Sequence, residues 1–208
     1  VGIRVVMDVV YNHTAATDNS NLNLAVPNYY YRQNSQGCFS NGSGCGNELA
    51  SEHSMVRKMI VDSVIFWASE YHIDGFRFDL MGLHDITTMT KIREELNKID
   101  ESIIVYGEGG TGGDSPLLDS EKSTKLNTIK YGDLQIAAFS DEMRDGIRGH
   151  VFENSVPGFV NGYKGVEEMI KFGIVASVKH DQIKYGINPS PYEEYSVTFW
   201  ANKPNQTI

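Results

Sequence analysis

An α/β fold built on parallel strands is what this sequence predicts, and three observations predict it. Short β-branched runs alternate along the chain with longer stretches of helical period. Crossovers of that kind join parallel strands. Acidic side chains fall where the runs end, at the edge where open α/β sheets and closed barrels alike place their sites. The composition, with 40% hydrophobic and 11% aromatic residues over 208 positions, is that of a chain that folds around a core. From these alone, a doubly wound sheet and a closed barrel are equally allowed.

The elements follow in order. Ile3-Arg4-Val5-Val6-Met7-Asp8-Val9-Val10 is mostly apolar and β-branched, as expected of a strand buried on both faces. Residues 14–51 are rich in Asn, Ser and Gly without sustained period and read as a long loop excursion, a length that usually marks function. Val56, Met59, Ile60, Ser63, Val64, Trp67 and Tyr71 then recur at helical spacing, on a helix opened by Ser51 or Ser54. Gly75-Phe76-Arg77-Phe78-Asp79-Leu80 alternates with period two. A second helix is capped by Asp85 and buries Ile86, Met89, Ile92, Leu96 and Ile99. Ile103-Ile104-Val105-Tyr106 is a further strand, Ile136-Ala137-Ala138-Phe139 a short one, and a short helix lies near 165–172.

Charge and hydropathy exclude several partners. Lys and Arg number 18 against 27 Asp and Glu, a net charge of −9. Nucleic-acid binding is built on surplus cationic side chains, so no nucleic-acid partner is expected. No apolar run approaches the roughly 20 residues of a spanning helix, so no membrane partner is expected either. The first residues lack a Met and the pattern of a signal peptide, and read as the middle of a longer chain. Cytoplasmic and secreted locations both stay open.

Strand parity supplies the chemistry. Side chains two apart share a face, so Arg77 and Asp79 point together, Glu108 joins Tyr106 and Ile104, and Asp8 joins Val6 and Val10. Three carboxylates thus meet an arginine at one sheet edge. Singly, each reads as a solvated acid or a structural ion pair. Together they offer an acid kept ionised by Arg⁺ beside one in a drier pocket, the differentiated pair that glycoside hydrolysis uses.

Asp8-Val9-Val10-Tyr11-Asn12-His13, Asp74-Gly75-Phe76-Arg77-Phe78-Asp79 and Tyr106-Gly107-Glu108-Gly109 resemble, in order, the first three signature regions of the α-amylase superfamily, glycoside hydrolase family 13. Tyr29-Tyr30-Tyr31-Arg32, the stretch from Asn41 to Glu48, Leu80-Met81-Gly82-Leu83-His84-Asp85 and the stretch from Phe139 to Gly146 narrow the resemblance to type I pullulanases. The resemblance implies a partial (β/α)8 TIM barrel, with residues 1–208 its central part, about strands 3 to 6, and residues 14–51 emerging after the third strand. It implies an α-glucan partner and hydrolysis of α-1,6 branch linkages with retention. Asp79 would be the nucleophile and Glu108 the general acid/base, some 5–5.5 Å apart. Arg77 would orient Asp79, and Asp8 and His13 would line the sugar subsite. No cofactor follows; calcium stays open because Asn12 is a calcium ligand in many α-amylases.

Two departures stand out. Gly110 occupies the position where the family's third region carries Trp, which removes an aromatic surface next to the sugar. The family's fourth region, a His-Asp pair supplying a third carboxylate, is expected beyond Ile208, after Trp200-Ala201-Asn202-Lys203-Pro204-Asn205-Gln206-Thr207-Ile208. Lys179-His180-Asp181 is too early to replace it and reads as a surface loop.

Other classes fit less well. Gly107-Glu108-Gly109-Gly110-Thr111-Gly112 matches a dinucleotide-binding pattern, yet its Glu would repel a pyrophosphate. No G-x-S-x-G elbow and no H-E-x-x-H motif is present. Cys38 and Cys45 could pair locally or stay free. The rivals that stand are a noncatalytic carbohydrate-binding piece of the same fold and an α-1,4-acting relative.

Overall fold

The computed structural model describes residues 2–184, which fall in two compact units divided between Ile136 and Ala137. In the first, β1 (Val6–Val9) leads into the excursion, which carries a helical turn, α1 (Asn21–Ala25). Helix α2 (Ser54–Tyr71) returns the chain to β2 (Gly75–Phe78), and a 3-10 turn (Met81–Leu83) leads to α3 (Ile86–Asn97) and β3 (Ile104–Gly107). Strand β2 pairs in parallel with both neighbours, and Val6, Gly75 and Ile104 share one register level, with Asp8, Arg77 and Tyr106 two residues on. The α/β class and its parallel sheet are as expected.

Burial explains where each element stops. Phe76 and Phe78 of the central strand are fully buried, while Val6 and Val10 are 37% and 51% exposed. The face of β1 that carries Val6, Asp8 and Val10 is exposed while Val9 on the other is buried, which corrects the expectation of burial on both faces. Helix α2 turns Val56, Ile60, Val61, Val64 and Ala68 inward and packs on α3. It starts at Ser54, and His72 ends it in the left-handed region at φ 54°. Tyr71, expected inside, is exposed and packs its ring on Phe66 and Trp67. Asp85 caps α3 as expected, accepting from the Thr88 N–H at 3.0 Å. Helix α3 ends at Asn97, so Ile99 lies beyond it and is exposed.

The excursion is folded on itself. Ser20 caps α1, and bridges join Tyr31 to Leu49 and Gln33 to Phe39. The Asn47 side chain ties both backbone groups of Thr14, at 3.0 and 2.8 Å. Tyr31, Arg32, Glu48, Leu49 and Ala50 are all buried.

The second unit holds β4 (Ala137–Ala138), α4 (Asp141–Arg148) and α5 (Glu167–Ile174). Helix α4 is a finding that periodicity did not predict. It is short and strongly polar, set by the Ser140 cap on the Met143 N–H and by close packing on α5, where a Cβ on Gly173 would meet the Met143 sulfur at 2.4 Å. His180 and Asp181 are exposed and outside regular structure, as the surface-loop reading expects. Trp200 to Ile208, read as leading to a fourth signature region, lies outside the described residues. Among the described residues no helix is long and apolar enough to cross a membrane.

Candidate active site

Parallel pairing brings the predicted acids together. Arg77 projects from β2, one register level before the strand ends, with Asp8 opposite it on β1. Its Nη1 donates to Asp8 Oδ1 and to Asp79 Oδ1, each at 2.9 Å, and its Nη2 donates to Glu108 Oε1. One guanidinium therefore joins acids from three adjacent strands. Asp79 and Glu108 each sit just past a strand, and their amides extend the ladder: Asp79 N–H donates to the Val9 carbonyl at 3.0 Å and Glu108 N–H to that of Phe78 at 3.0 Å. The backbone then turns sharply. Leu80 takes a left-handed φ of 41°, which costs a branched residue energy and is held by neighbours. Its N–H donates to Glu108 Oε2 at 3.2 Å, so both Glu108 oxygens are engaged.

Asn12 is the residue that sequence reasoning assigned least well. It is buried, and its Nδ2 donates to the Asp79 carbonyl at 2.7 Å and to Asp79 Oδ2 at 3.0 Å. Its Oδ1 is 2.5 Å from His13 Nδ1. The amide thus links His13 to Asp79. Only its place four residues after Asp8, next to His13, hinted at this. Among the described residues no group of three or more His, Cys, Asp or Glu side chains could hold a metal ion.

The electrostatics differ between groups. Partial burial pushes the Asp79 carboxyl up, but the Asn12 hydrogen bond, the Arg77 contact and the His13 charge outweigh it and hold Asp79 below the ordinary carboxylate value. Burial works against the Arg77 charge as well, and its carboxylate partners more than offset it. The side chain of Asp8 is 67% exposed, against 27% for Asp79, so the outer end of the cluster is open to water.

Around the acids the loops close on glycines. A Cβ on Gly82 would lie 2.4 Å from the Gly110 carbonyl oxygen, and one on Gly112 would lie 2.3 Å from that of Ser43. Gly110 itself is exposed with open space where a side chain would go. Cys38 and Cys45 are both free and exposed.

Fold and site together define an α/β protein whose parallel sheet carries an arginine-bridged set of carboxylates at its carboxyl edge. Over most of its length the chain is a homologue of the pullulanases. It is 38% identical over 176 residues to the pullulanase of Bacillus subtilis (strain 168), a match covering 85% of this chain and 24% of that protein. The structure of a pullulanase from Anoxybacillus sp. LM18-11 complexed with maltotetraose is similar at 44% identity and a TM-score of 0.80, over 85% of this chain and 25% of that one. A pullulanase of Paenibacillus barengoltzii in complex with maltohexaose and alpha-cyclodextrin is similar at 37% identity and a TM-score of 0.85, over 99% of this chain and 29% of that one. The chain thus spans about a quarter of the length of these proteins. No family model matches the chain.

Proposed function

We propose that residues 1–208 are the central part of a (β/α)8 barrel, with β1 to β4 as its third to sixth strands, and that the protein they belong to is a debranching glycoside hydrolase. The substrate is an α-glucan carrying α-1,6 linkages, such as pullulan, glycogen or limit dextrin. The observation that carries the reading is Arg77 bridging Asp79 and Glu108 at adjacent strand ends. A pair of carboxylates spanned by one guanidinium suits a retaining mechanism, in which the nucleophile and the acid/base stand closer together than an intervening water allows.

In the first step Asp79, ionised through Arg77 and Asn12, attacks the anomeric carbon while Glu108 gives a proton to the departing 6-oxygen. In the second, Glu108 takes a proton from water, which displaces the sugar from Asp79. Both Glu108 oxygens accept hydrogen bonds in the resting site, so the carboxyl turns off Arg77 to deliver its proton. Asp8 and His13 border the same edge and bind the sugar at the cleaved bond. The open space at Gly110 leaves that part of the wall without an aromatic ring. A neutral polysaccharide needs no cationic surface, which agrees with the charge of −9. The maltooligosaccharides in similar pullulanase structures support an α-glucan ligand. A chain that spans a quarter of its relatives has little or no activity alone.

Pullulan hydrolysis by a longer protein carrying this segment tests the reading. Maltotriose should be the product, with Asp79→Asn and Glu108→Gln each losing at least about 1,000-fold in kcat. Normal turnover by either variant, or panose as the product, overturns it.

A further inference from the structure

Beside the site lies a buried ion pair that the proposed reaction does not use. Arg32 Nη1 donates to Glu48 Oε2, and the two side chains are 4% and 0% exposed. Two buried charges cost several kcal/mol each unless their remaining hydrogen-bonding groups are matched. Here they are. Glu48 Oε1 accepts from Ser40 Oγ and, at 3.3 Å, from the Gly42 N–H. Glu48 Oε2 also accepts from Ser115 Oγ at 2.8 Å. Arg32 Nε and Nη2 fork onto Glu52 at 3.0 and 2.7 Å, Nη2 also reaches the Leu83 carbonyl at 3.2 Å, and Nη1 reaches Ser115 Oγ at 3.2 Å.

These partners come from three separate pieces of chain: the excursion with Glu52 just after it, the turn Met81–Leu83 that follows Asp79, and the loop that follows Glu108. Apolar side chains of equal volume would serve stability as well or better. Directional partners do something apolar packing does not, which is to fix where each loop goes. Backbone contacts carry the path onward. The Gly113 N–H donates to the Gly42 carbonyl at 2.8 Å, and the Gly82 N–H donates to the Glu108 and Gly110 carbonyls at 3.2 and 3.1 Å. The carbonyl that Arg32 holds, on Leu83, is therefore one residue from the amide that holds Glu108.

We propose that Arg32, Glu48 and Ser115 are positioning residues, which lock the turn after Asp79 to the loop after Glu108 so that both carboxylates stay on Arg77. Their importance to catalysis rests on reading Asp79 and Glu108 as the reacting pair; the locking of the loops does not.

Ser115→Ala is the discriminating variant, since it removes the hydroxyl joining the pair to the Glu108 loop and leaves Arg32 on Glu48 and Glu52. Amide hydrogen exchange in the 208-residue chain should rise roughly tenfold or more at Gly82 and Gly113 and stay unchanged at Phe76 and Val105. Ser115→Thr, which keeps the hydroxyl, should restore the slow rates. Unchanged exchange at Gly82 and Gly113, or an equal rise at all four amides, overturns the proposal. In pullulan hydrolysis by a longer protein carrying the segment, Ser115→Ala should lower kcat several-fold at constant KM; a change in KM alone also overturns it. If that protein without substitution cleaves no α-glucan while the exchange pattern holds, the catalytic reading falls and the loop lock stands.

Discussion

Asn12 donates the same Nδ2 to two oxygens of Asp79, the carbonyl at 2.7 Å and the carboxylate Oδ2 at 3.0 Å. One amide thus fixes both the backbone and the side chain of the acid proposed as nucleophile. Together with Arg77 on Oδ1, it engages both carboxylate oxygens of Asp79 and stabilises the negative charge.

Asn12→Ala should therefore raise the Asp79 titration midpoint. Burial pushes this carboxyl up, and the Asn12 hydrogen bond is among the contributions that push it down, beside the hydrogen bond and charge of Arg77. A carboxyl depressed in the folded state contributes stability above its unfolded value and loses it as pH falls through the folded one. The variant narrows that window from below. Carbon-detected NMR titration of the Asp79 carboxyl reads the midpoint directly, and the acidic limb of any pullulan rate profile should move to higher pH with it. An unmoved or lowered midpoint would show that Asn12 acts on the backbone alone.

Arg77→Lys keeps a positive charge but loses the fork that reaches three acids with two nitrogens. Glu108 and Asp8 are on different strands, so a single ammonium cannot serve both and Asp79 as well. The expected result is a folded chain, with kcat on pullulan in a longer protein down by roughly 100-fold, the scale of losing one preorganised donor at a reacting centre. Circular dichroism checks the fold, and steady-state kinetics the rate. Activity within a few-fold of the parent would remove Arg77 from the mechanism.

Much of this arrangement was legible in the sequence, for definite reasons. Strand parity alone put Arg77 and Asp79 on one face, and the ends of three parallel runs put Asp8 and Glu108 beside them. The Asp85 cap is a local event that needs only Thr88, three residues on. What stayed hidden was set by non-local contacts or by sheet position. Arg32 and Ser115 are 83 positions apart, so no period reveals that they meet, and the excursion looked structureless because polar side chains organise it. Val10 and Ile99 continue their apolar patterns past the ends of β1 and α3, Val6 and Tyr71 are the first residue of β1 and the last of α2, and all four are exposed. Helix α4 has too few apolar positions to show a period; its Ser140 cap and α5 define it.

Gly82→Ala tests how closely the two site loops approach. Its Cβ would meet the Gly110 carbonyl oxygen at 2.4 Å and carbon at 2.7 Å, and backbone cannot yield as a flexible side chain does. The chain should lose about 1–3 kcal/mol of stability, seen as a lower urea midpoint. Gly110→Ala is the control, because nothing lies within 4 Å of its Cβ, and it should change stability by no more than about 0.5 kcal/mol. Equal effects of the two substitutions would contradict the contact between these loops.

His84 ties stability to pH. It is fully buried, packed edge-on to Phe78 with ring centroids 6.0 Å apart, and neither ring nitrogen has a hydrogen-bond partner. Burial lowers its pKa from 6.5 to about 4, with the nearby Arg32 charge adding in the same direction against the pull of Asp85 and Asp79. The unfolded chain then binds a proton that the folded chain refuses between those two values. Folding stability should rise with pH across this window, and the penalty should be complete below about pH 4. At about 1.4 kcal/mol per unit the full effect is on the order of 3 kcal/mol. His84→Phe keeps a ring against Phe78 and has nothing to protonate, so its urea midpoint should lose that slope and exceed the parent's at pH 5. Parallel pH profiles for the two proteins would mean that His84 is already protonated, or already satisfied, in the folded chain.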